Sequence, residues 1–497
     1  MILLTHYTSV NKKEALFLPF LAGKTYFGSK RDVNMKKLTK LAILSSLALS
    51  ATFALAQDIT PTRVGPVSQY GQLMTGKNSQ GQGRIYGSCE GVKDGAEVQV
   101  RGMSLYWSLL PQAIEFWSAE GIATMVNDMN IQIVRAAMAT GDEDWWGCKS
   151  GEEKCGDDKS SHITGYATDT EYQKNLMKTV VEAAIKNDIY VIIDWHSHKA
   201  NEQTEASKNF FKEMAQTYGK YDHVIFELFN EPTDIEWGVV KNYADQVISV
   251  IREYSDNLIL VGNPSWDQNP QMAIGNEVND PQKNTAYTLH YYANSHCWEG
   301  SYGWGNGTND ACEGVKGEQA INAGLSVFIS EWGTGKADGD GEPDVGRNQS
   351  WQEYVNKHKL SWANWSASKI AEGTAAFQGG SNKNSLQYTT SGNLVKSYLA
   401  TNPTSYTKCA ANGGNEGGND SPIFVKANLN YNVSFANNAL HIAGAPATVE
   451  IYTMKGNKLM AIDNVSGTLS LASLPAGKYF ARVQQKSAKA IQAFQIK

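Results

Sequence analysis

The chain has little of what would tie it to nucleic acid, to a metal or to a bilayer. Charged residues make up 19% of it, below the ~25% of an average soluble domain. No basic run occurs beyond the N-terminal segment, so no nucleic-acid partner is expected. There is no C-x-x-C and no tight Cys/His cluster, which leaves a zinc site without its usual ligand spacing. No glycine-rich phosphate turn follows the first strand-like segment, which argues against a doubly wound nucleotide-binding sheet. Beyond residue 56 no apolar run is long enough to read as a transmembrane helix.

One apolar run does stand near the start. Met35-Lys36-Lys37 and Lys40 precede Leu41–Leu55, and Ala54-Leu55-Ala56 precedes Gln57. This order predicts a secretory signal peptide over 35–56, cleaved after Ala56. The rival reading, an uncleaved anchor, suffers from a run too short to span comfortably. Residues 1–34 lack this logic and read as an over-extended gene start. The protein is therefore expected to be bacterial and secreted or held at the cell surface. Export changes the meaning of the six cysteines, since an even count in an oxidising compartment suggests disulfides. Cys148–Cys155 and Cys297–Cys312 are local pairs, which leaves Cys89–Cys409 to tie the start of a domain to its end.

Strand-like and helix-like segments alternate from 57 to 409. "VQVRGMS", "NIQIVRAAM", "IYVIIDWH", "HVIFELFN", "NLILVG", "TAYTLHYYA", "LSVFISEWG" and "LSWANWSAS" give eight strands. "IYVIIDWH" shows no apolar/polar alternation, as expected of a strand buried on both faces. Between strands, Tyr172, Leu176, Val180 and Ala184 recur at helical spacing, with Thr170 and Gln173 as an expected capping box. Thr233 and Glu236 are expected to cap the next helix. Eight such alternations imply an α/β class fold, a (β/α)₈ TIM barrel, over 57–409. "AANGGNEGGND" (410–420) is a flexible linker, and 421–497 shows short alternating strands, expected to form a small all-β sandwich.

In such a barrel the active site lies at the C-terminal strand ends. Those ends carry Arg135, Asp194, His196, Asn230, Glu231, His290, Tyr292, Glu331 and Trp365. Any one of them alone is ordinarily a satisfied structural group; together, at the ends of apolar strands, packing does not account for them. Glu231 follows the fourth strand and Glu331 the seventh, and these face each other across a barrel mouth. Two opposed carboxyls suit glycosidic cleavage, one protonating the leaving oxygen and the other attacking the anomeric carbon. Their proton affinities must then differ. Arg135 is expected to keep one glutamate ionised while the other holds its proton. Asp194, His196 and His198 alternate as a metal site might, but the two-carboxylate chemistry needs no metal and no cofactor is expected. Asp338–Asp344 lacks the spacing of a calcium loop and reads as a solvated acidic loop.

"FELFNEP" and "FISEWG" resemble the acid/base and nucleophile motifs of glycoside hydrolase family 5 endoglucanases, a resemblance covering about Pro66 to Pro403. It implies Glu231 as acid/base, Glu331 as nucleophile and a covalent glycosyl-enzyme with retention. It further implies that Arg135 contacts the nucleophile, that His196 and Asn230 bind the reacting sugar, and that His290 and Tyr292 flank the glutamates. Trp365 and Trp266 match aromatic platforms, and Tyr166 an outer-subsite contact. Three departures stand out. Tyr106 takes the place of a frequent histidine, Ile370 that of an expected lysine with Lys369 one position early, and 141–163 resembles an insertion. The implied partner is a β-glucan chain, acted on by a monomer. Mannan, xyloglucan or mixed-linkage glucan are alternative substrates, and a non-catalytic glycan-binding barrel is an alternative of another class. All 13 Trp lie between Trp107 and Trp365, so the C-terminal region lacks the tryptophans of a sugar-binding module, and only Tyr431, Tyr452 and Tyr479 are candidates there. "IYTMKGNKL" and "SLPAGKYFARV" resemble C-terminal sorting domains of secreted bacterial proteins, which implies secretion or surface-sorting machinery as a partner.

Overall fold

The computed structural model describes residues 58–89, 96–141, 163–298 and 312–409, and in the C-terminal region 433–436, 438–453, 458–475, 477–485 and 488–496. The signal-peptide segment, the residues before it, the 410–420 linker and the Cys148–Cys155 pair lie outside the described residues.

The eight apolar runs become β1 (Arg101–Leu105), β2 (Ile133–Ala139), β3 (Tyr190–His196), β4 (Val224–Glu227), β5 (Ile259–Val261), β6 (Thr285–Thr288), β7 (Val327–Gly333) and β8 (Trp362–Ala367). Each pairs in parallel with the next, and β8 returns to β1, so the sheet closes. The crossovers carry α1 (Ala119–Met129), α2 (Thr170–Lys186), α3 (Thr204–Tyr218), α4 (Trp237–Ile251), α5 (Glu313–Asn322) and α6 (Val345–Lys357), and α7 (Thr390–Leu399) follows β8. The crossover from β5 to β6 has only short turns, Pro264–Asp267 and Pro270–Ala273. In α4 the buried set Trp237, Val240, Ala244, Val247, Ile248 and Ile251 follows helical spacing, which gives one apolar stripe to lay on the barrel.

The strands are apolar on both faces because each face meets a different core. Val134, Val191, Phe226, Ile259 and Ile329 point outward into the helix layer. Ile133, Ile192, Ile225, Leu260 and Phe328 point inward, where Val67, Leu73 and Ile85 join them from the N-terminal segment. That segment contains the antiparallel hairpin Leu73–Lys77 and Gly83–Gly87. The Cys89–Cys409 disulfide joins it to the segment following α7, and Cys297–Cys312 forms as expected.

Two capping expectations change. Asp169, not Thr170, caps α2, accepting from the Tyr172 N–H. The Thr170 hydroxyl instead donates to the Tyr166 carbonyl, and Gln173 is buried, donating to the carbonyls of Ser108 and Thr164. Tyr172 is exposed, because the buried stripe of α2 runs through Gln173, Met177, Val180 and Ala184. Glu236 sits at the start of α4 without a side-chain capping bond.

In the C-terminal region β9 (Val433–Ala436), β10 (Ala439–Thr453), β11 (Lys458–Ser470), β12 (Gly477–Gln485) and β13 (Ala488–Ile496) pair antiparallel. Their hydrogen bonds connect them in the order β9-β10-β12-β13, with β11 also paired to β10. Register shifts interrupt the β10–β11 pair, and Phe435 of β9 stacks on Phe494 of β13 at 4.7 Å. Alternate residues Leu440, Ile442, Val449, Ile451, Ala481 and Val483 supply its core. Tyr479 is buried with its hydroxyl on the Pro475 carbonyl, and Tyr452 donates to Glu450, so neither stands out as a flat sugar platform. Tyr431 lies outside the described residues.

Candidate active site

Two positions above the inner isoleucines, the barrel interior becomes charged. Arg135 on β2 is fully buried. Its Nε donates to Glu227 Oε2 at 2.6 Å, Nη1 to Glu331 Oε2 at 2.7 Å and Nη2 to Asn230 Oδ1 at 2.5 Å, and Nη2 forms an ion pair with Asp194 Oδ2 at 2.9 Å. Burial works against its charge, but Asp194, Glu227 and Glu331 outweigh that and keep it protonated. One cation thus orients four acceptors drawn from three strands and the loop after β4.

Glu331 reaches this cluster through a local irregularity. Between Ile329 and Trp332, β7 carries one more residue than the facing stretch of β8. Strict alternation would turn Glu331 outward with Ile329. The extra residue instead leaves both Ser330 and Glu331 facing inward, with Trp332 in the outer core. Tyr292 donates to Glu331 Oε1 at 2.8 Å. Gly333 makes room for it, since a Cβ there would lie 2.2 Å from Tyr292 Cδ1.

Glu231, in the loop after β4, meets an imidazole at each oxygen. His290 Nδ1 is 2.9 Å from Oε1, and His198 Nε2 is 3.1 Å from Oε2. His290 Nε2 lies 2.9 Å from Ser330 Oγ, with Asp267 at 3.5 Å and Glu227 at 3.9 Å. One carboxylate oxygen each of Glu231 and Glu331 and a ring nitrogen of His290 fall within 4.8 Å of one another.

The proton affinities differ, as expected of a working pair, but in the opposite sense. Burial pushes Glu231 up, yet the hydrogen bonds from His198 and His290 outweigh it and bring the carboxyl down to about 2. Burial and then the Glu231 charge push Glu331 up, against Arg135, His290 and Tyr292. Burial disfavours charge on His290, but Asp267, Glu227, Glu231 and Glu331 overcome it and hold the imidazole protonated. The Glu231–His290 pair therefore holds one proton, drawn to the imidazole side. Burial raises Asp267 to about 8, against His290 and Thr288, and carries Asp194 well above the usual carboxylate range despite Arg135. His196 is kept neutral by burial and then by Arg135, its Nδ1 lying 2.7 Å from Asp194 Oδ2.

The aromatic residues divide. Trp365 lies parallel to His196 at 5.4 Å and against Tyr106 at 4.8 Å. Trp266 is 37% exposed, held out by left-handed backbone at Ser265, Trp266 and Asp267, with its N–H on the Pro232 carbonyl. Tyr166 is not brought to this group. Its ring packs edge-on against Trp195 and Phe210, and Lys174 of α2 and Glu213 of α3 are the charges nearest its hydroxyl, so it belongs to the helix layer. Tyr106 donates to Glu372 at 2.9 Å. Lys369 is engaged by Glu115 and the Ser381 carbonyl, and Ile370 packs beside Trp365 and Tyr106.

Sequence reasoning missed Glu227, Asp267, Ser330 and the role of His198. Glu227 had a signal, as a charged residue two positions past Ile225 on one strand face. Asp267 had none, because its burial depends on the left-handed turn. Two sets lie close enough to share a cation among the described residues, Glu227/Asp267/His290 and Glu231/His290/Glu331. Both contain His290, whose imidazole the surrounding carboxyls hold above its usual range. Asp194, His196 and His198 do not converge, since His196 turns to Asp194 and His198 to Glu231. In the acidic loop, Asp338 accepts from the Asp340 N–H and Asp344 caps α6.

A closed parallel barrel with an arginine-centred carboxylate cluster and two apposed glutamates at its mouth defines a two-carboxylate barrel protein. The family model described as Cellulase (glycosyl hydrolase family 5) matches residues 92–370, and the chain belongs to that family. Endoglucanase Z of Dickeya dadantii is 37% identical over 305 residues, covering 61% of this chain and 62% of that protein. Endoglucanase N of Pectobacterium atrosepticum is 31% identical over 399 residues, covering 79% of this chain and 76% of that protein. The solved catalytic domain of alkaline cellulase K is 30% identical with a TM-score of 0.54, covering 69% of this chain and 96% of that domain. The chain thus spans less than two thirds of the length of Endoglucanase Z.

Proposed function

We propose that this chain is an exported endo-β-1,4-glucanase that cleaves internal bonds of cellulose-like glucans with retention. The observation that carries the reading is the approach of Glu231 and Glu331 oxygens to within 4.8 Å. Retaining enzymes separate their carboxyls by about 5–5.5 Å and inverting ones by about 6.5–9.5 Å, to admit a water. Glu331, aimed by Arg135 and Tyr292, attacks the anomeric carbon. The glycosidic oxygen takes its proton from Glu231 as the C–O bond breaks, and the proton shared with His290 supplies that transfer. Water, deprotonated by Glu231, then releases the sugar. Asn230, fixed by Arg135, His196 and the Trp365 ring would hold the reacting sugar, and Trp266 a sugar beyond the scissile bond. The endoglucanase names of the relatives support the choice of glycan.

Glu331→Gln should lower kcat on cellotetraose by about 10³-fold or more, ~4 kcal/mol of transition-state stabilisation. Proton NMR of the wild-type reaction should show the β-anomer first. Normal turnover by the variant would remove the assignment, and an α-anomer first would remove the double displacement. The same assay on mannan, xyloglucan and mixed-linkage glucan ranks the alternative substrates. The C-terminal sheet supports a sorting or attachment role through its sequence resemblance. Truncation after Cys409 should leave activity on soluble glucan intact and abolish surface location. Loss of binding to insoluble cellulose instead would favour a sugar-binding module.

A further inference from the structure

Glu231 is held from two sides, and the second holder has no part in the mechanism given above. His198 follows β3 by two residues. Its Nε2 lies 3.1 Å from Glu231 Oε2, while His290 holds Oε1 at 2.9 Å. His198 is 24% exposed and His290 only 2%, so His198 is the holder on the cleft side. The Trp107 ring, 6.3 Å from His198 and 5.2 Å from His196, packs beside it. Titratable groups around His198 include Glu231 from the loop after β4 and His196 from β3.

We propose that His198 is a positioning residue for proton donation by Glu231: its Nε2–H bond to Oε2 tightens as that carboxyl gives up its proton to the leaving oxygen. This rests on the acid/base assignment of Glu231. During bond cleavage Glu231 passes one proton to the glycosidic oxygen, the C–O electron pair goes to that oxygen, and Glu331 forms the new bond to carbon. With the glycan in place the proton shared with His290 moves onto Glu231, so Glu231 changes from neutral acid to carboxylate as it donates, and a neutral hydrogen bond from His198 becomes a charge-assisted one, roughly twice as strong. An interaction that strengthens along the reaction coordinate raises kcat rather than tightening substrate binding. It also fixes the carboxyl plane, because a glutamate held at one oxygen only is free to pivot.

The test separates leaving groups. His198→Ala should lower kcat on cellotetraose by about 10- to 100-fold, the range of a lost charged hydrogen bond. On 2,4-dinitrophenyl β-cellobioside, whose leaving group departs without a proton, the glycosylation rate should change by less than about 3-fold. His198→Gln, which keeps a donor, should recover most of the cellotetraose rate. Equal losses on both substrates, or no loss on either, would overturn the proposal. Glu231→Ala on the same pair is the control. If it shows no split, the acid/base assignment itself fails; if it shows a split and His198→Ala does not, only the role of His198 fails.

Discussion

The lower and upper halves of the barrel interior lie on the same strands and differ completely in chemistry. On β2, β3 and β4 the lower inner positions are Ile133, Ile192 and Ile225. Two residues further along stand Arg135, Asp194 and Glu227, all fully buried. The lower layer is held by apolar burial and places no demand on charge. The upper layer gathers Asp194, Glu227, Glu231, Asp267 and Glu331 around two cations, Arg135 and His290. Buried ions of this kind cost several kcal/mol each in desolvation and return little net stability. The comparison teaches that the lower half stabilises the barrel and the upper half spends part of that stability on a preorganised site.

The sharpest way to break the contrast is to remove its central cation. Arg135→Met should leave Asp194, Glu227 and Glu331 buried without a counter-charge, destabilising the fold by about 3–5 kcal/mol and abolishing turnover. The carboxyls would then have folded-state affinities raised above their unfolded ones. The variant should therefore be least impaired at acid pH and lose stability as pH rises, which urea titrations at pH 5 and pH 8 would read. In the lower layer, Ile192→Ala should cost about 2–4 kcal/mol by the same titration, with kcat on cellotetraose close to that of the parent. A large drop in kcat there would mean that the two layers are not separable.

His290→Gln sharpens the contrast in pH rather than stability. Activity requires Glu331 ionised, so the acid limb of kcat/KM should lie above the ordinary carboxylate range, because Glu331 is pushed up. The alkaline limb follows loss of the proton shared by Glu231 and His290, and His290 is held above its usual range. These limbs belong to the coupled cluster rather than to single residues. Removing His290 takes a cation from Glu331 and the proton's holder from Glu231. The bell should narrow from both sides, by about one pH unit or ~1.4 kcal/mol on the alkaline limb. An unchanged alkaline limb would exclude the shared proton. The smallest effect belongs outside both layers: Asp169→Ala removes the α2 cap and should cost ~1 kcal/mol in thermal unfolding, with the pH profile unmoved.

The eight strands and most crossover helices were legible because apolar runs and helical spacing are local properties. The mouth residues were legible for a related reason, since polar groups that end an apolar strand stand out along the chain. The capping of α2 was misread because Thr170 and Asp169 are both competent caps and only the backbone decides between them. The packing of Tyr166 against Trp195 and Phe210 was not legible, because a half-buried tyrosine has the same local surroundings in sequence whether it faces a cleft or a helix layer.

What the sequence determined by itself was a closed eight-stranded barrel with two glutamates delivered to one rim. Its strands are apolar on both faces, so no alternation marks which residues point inward. That was decided only in three dimensions, by sheet closure and, for Glu331, by the one-residue irregularity in β7. The location of the shared proton was decided there too, because a carboxyl's affinity depends on the charges and donors packed around it, and these come from strands far apart in the chain.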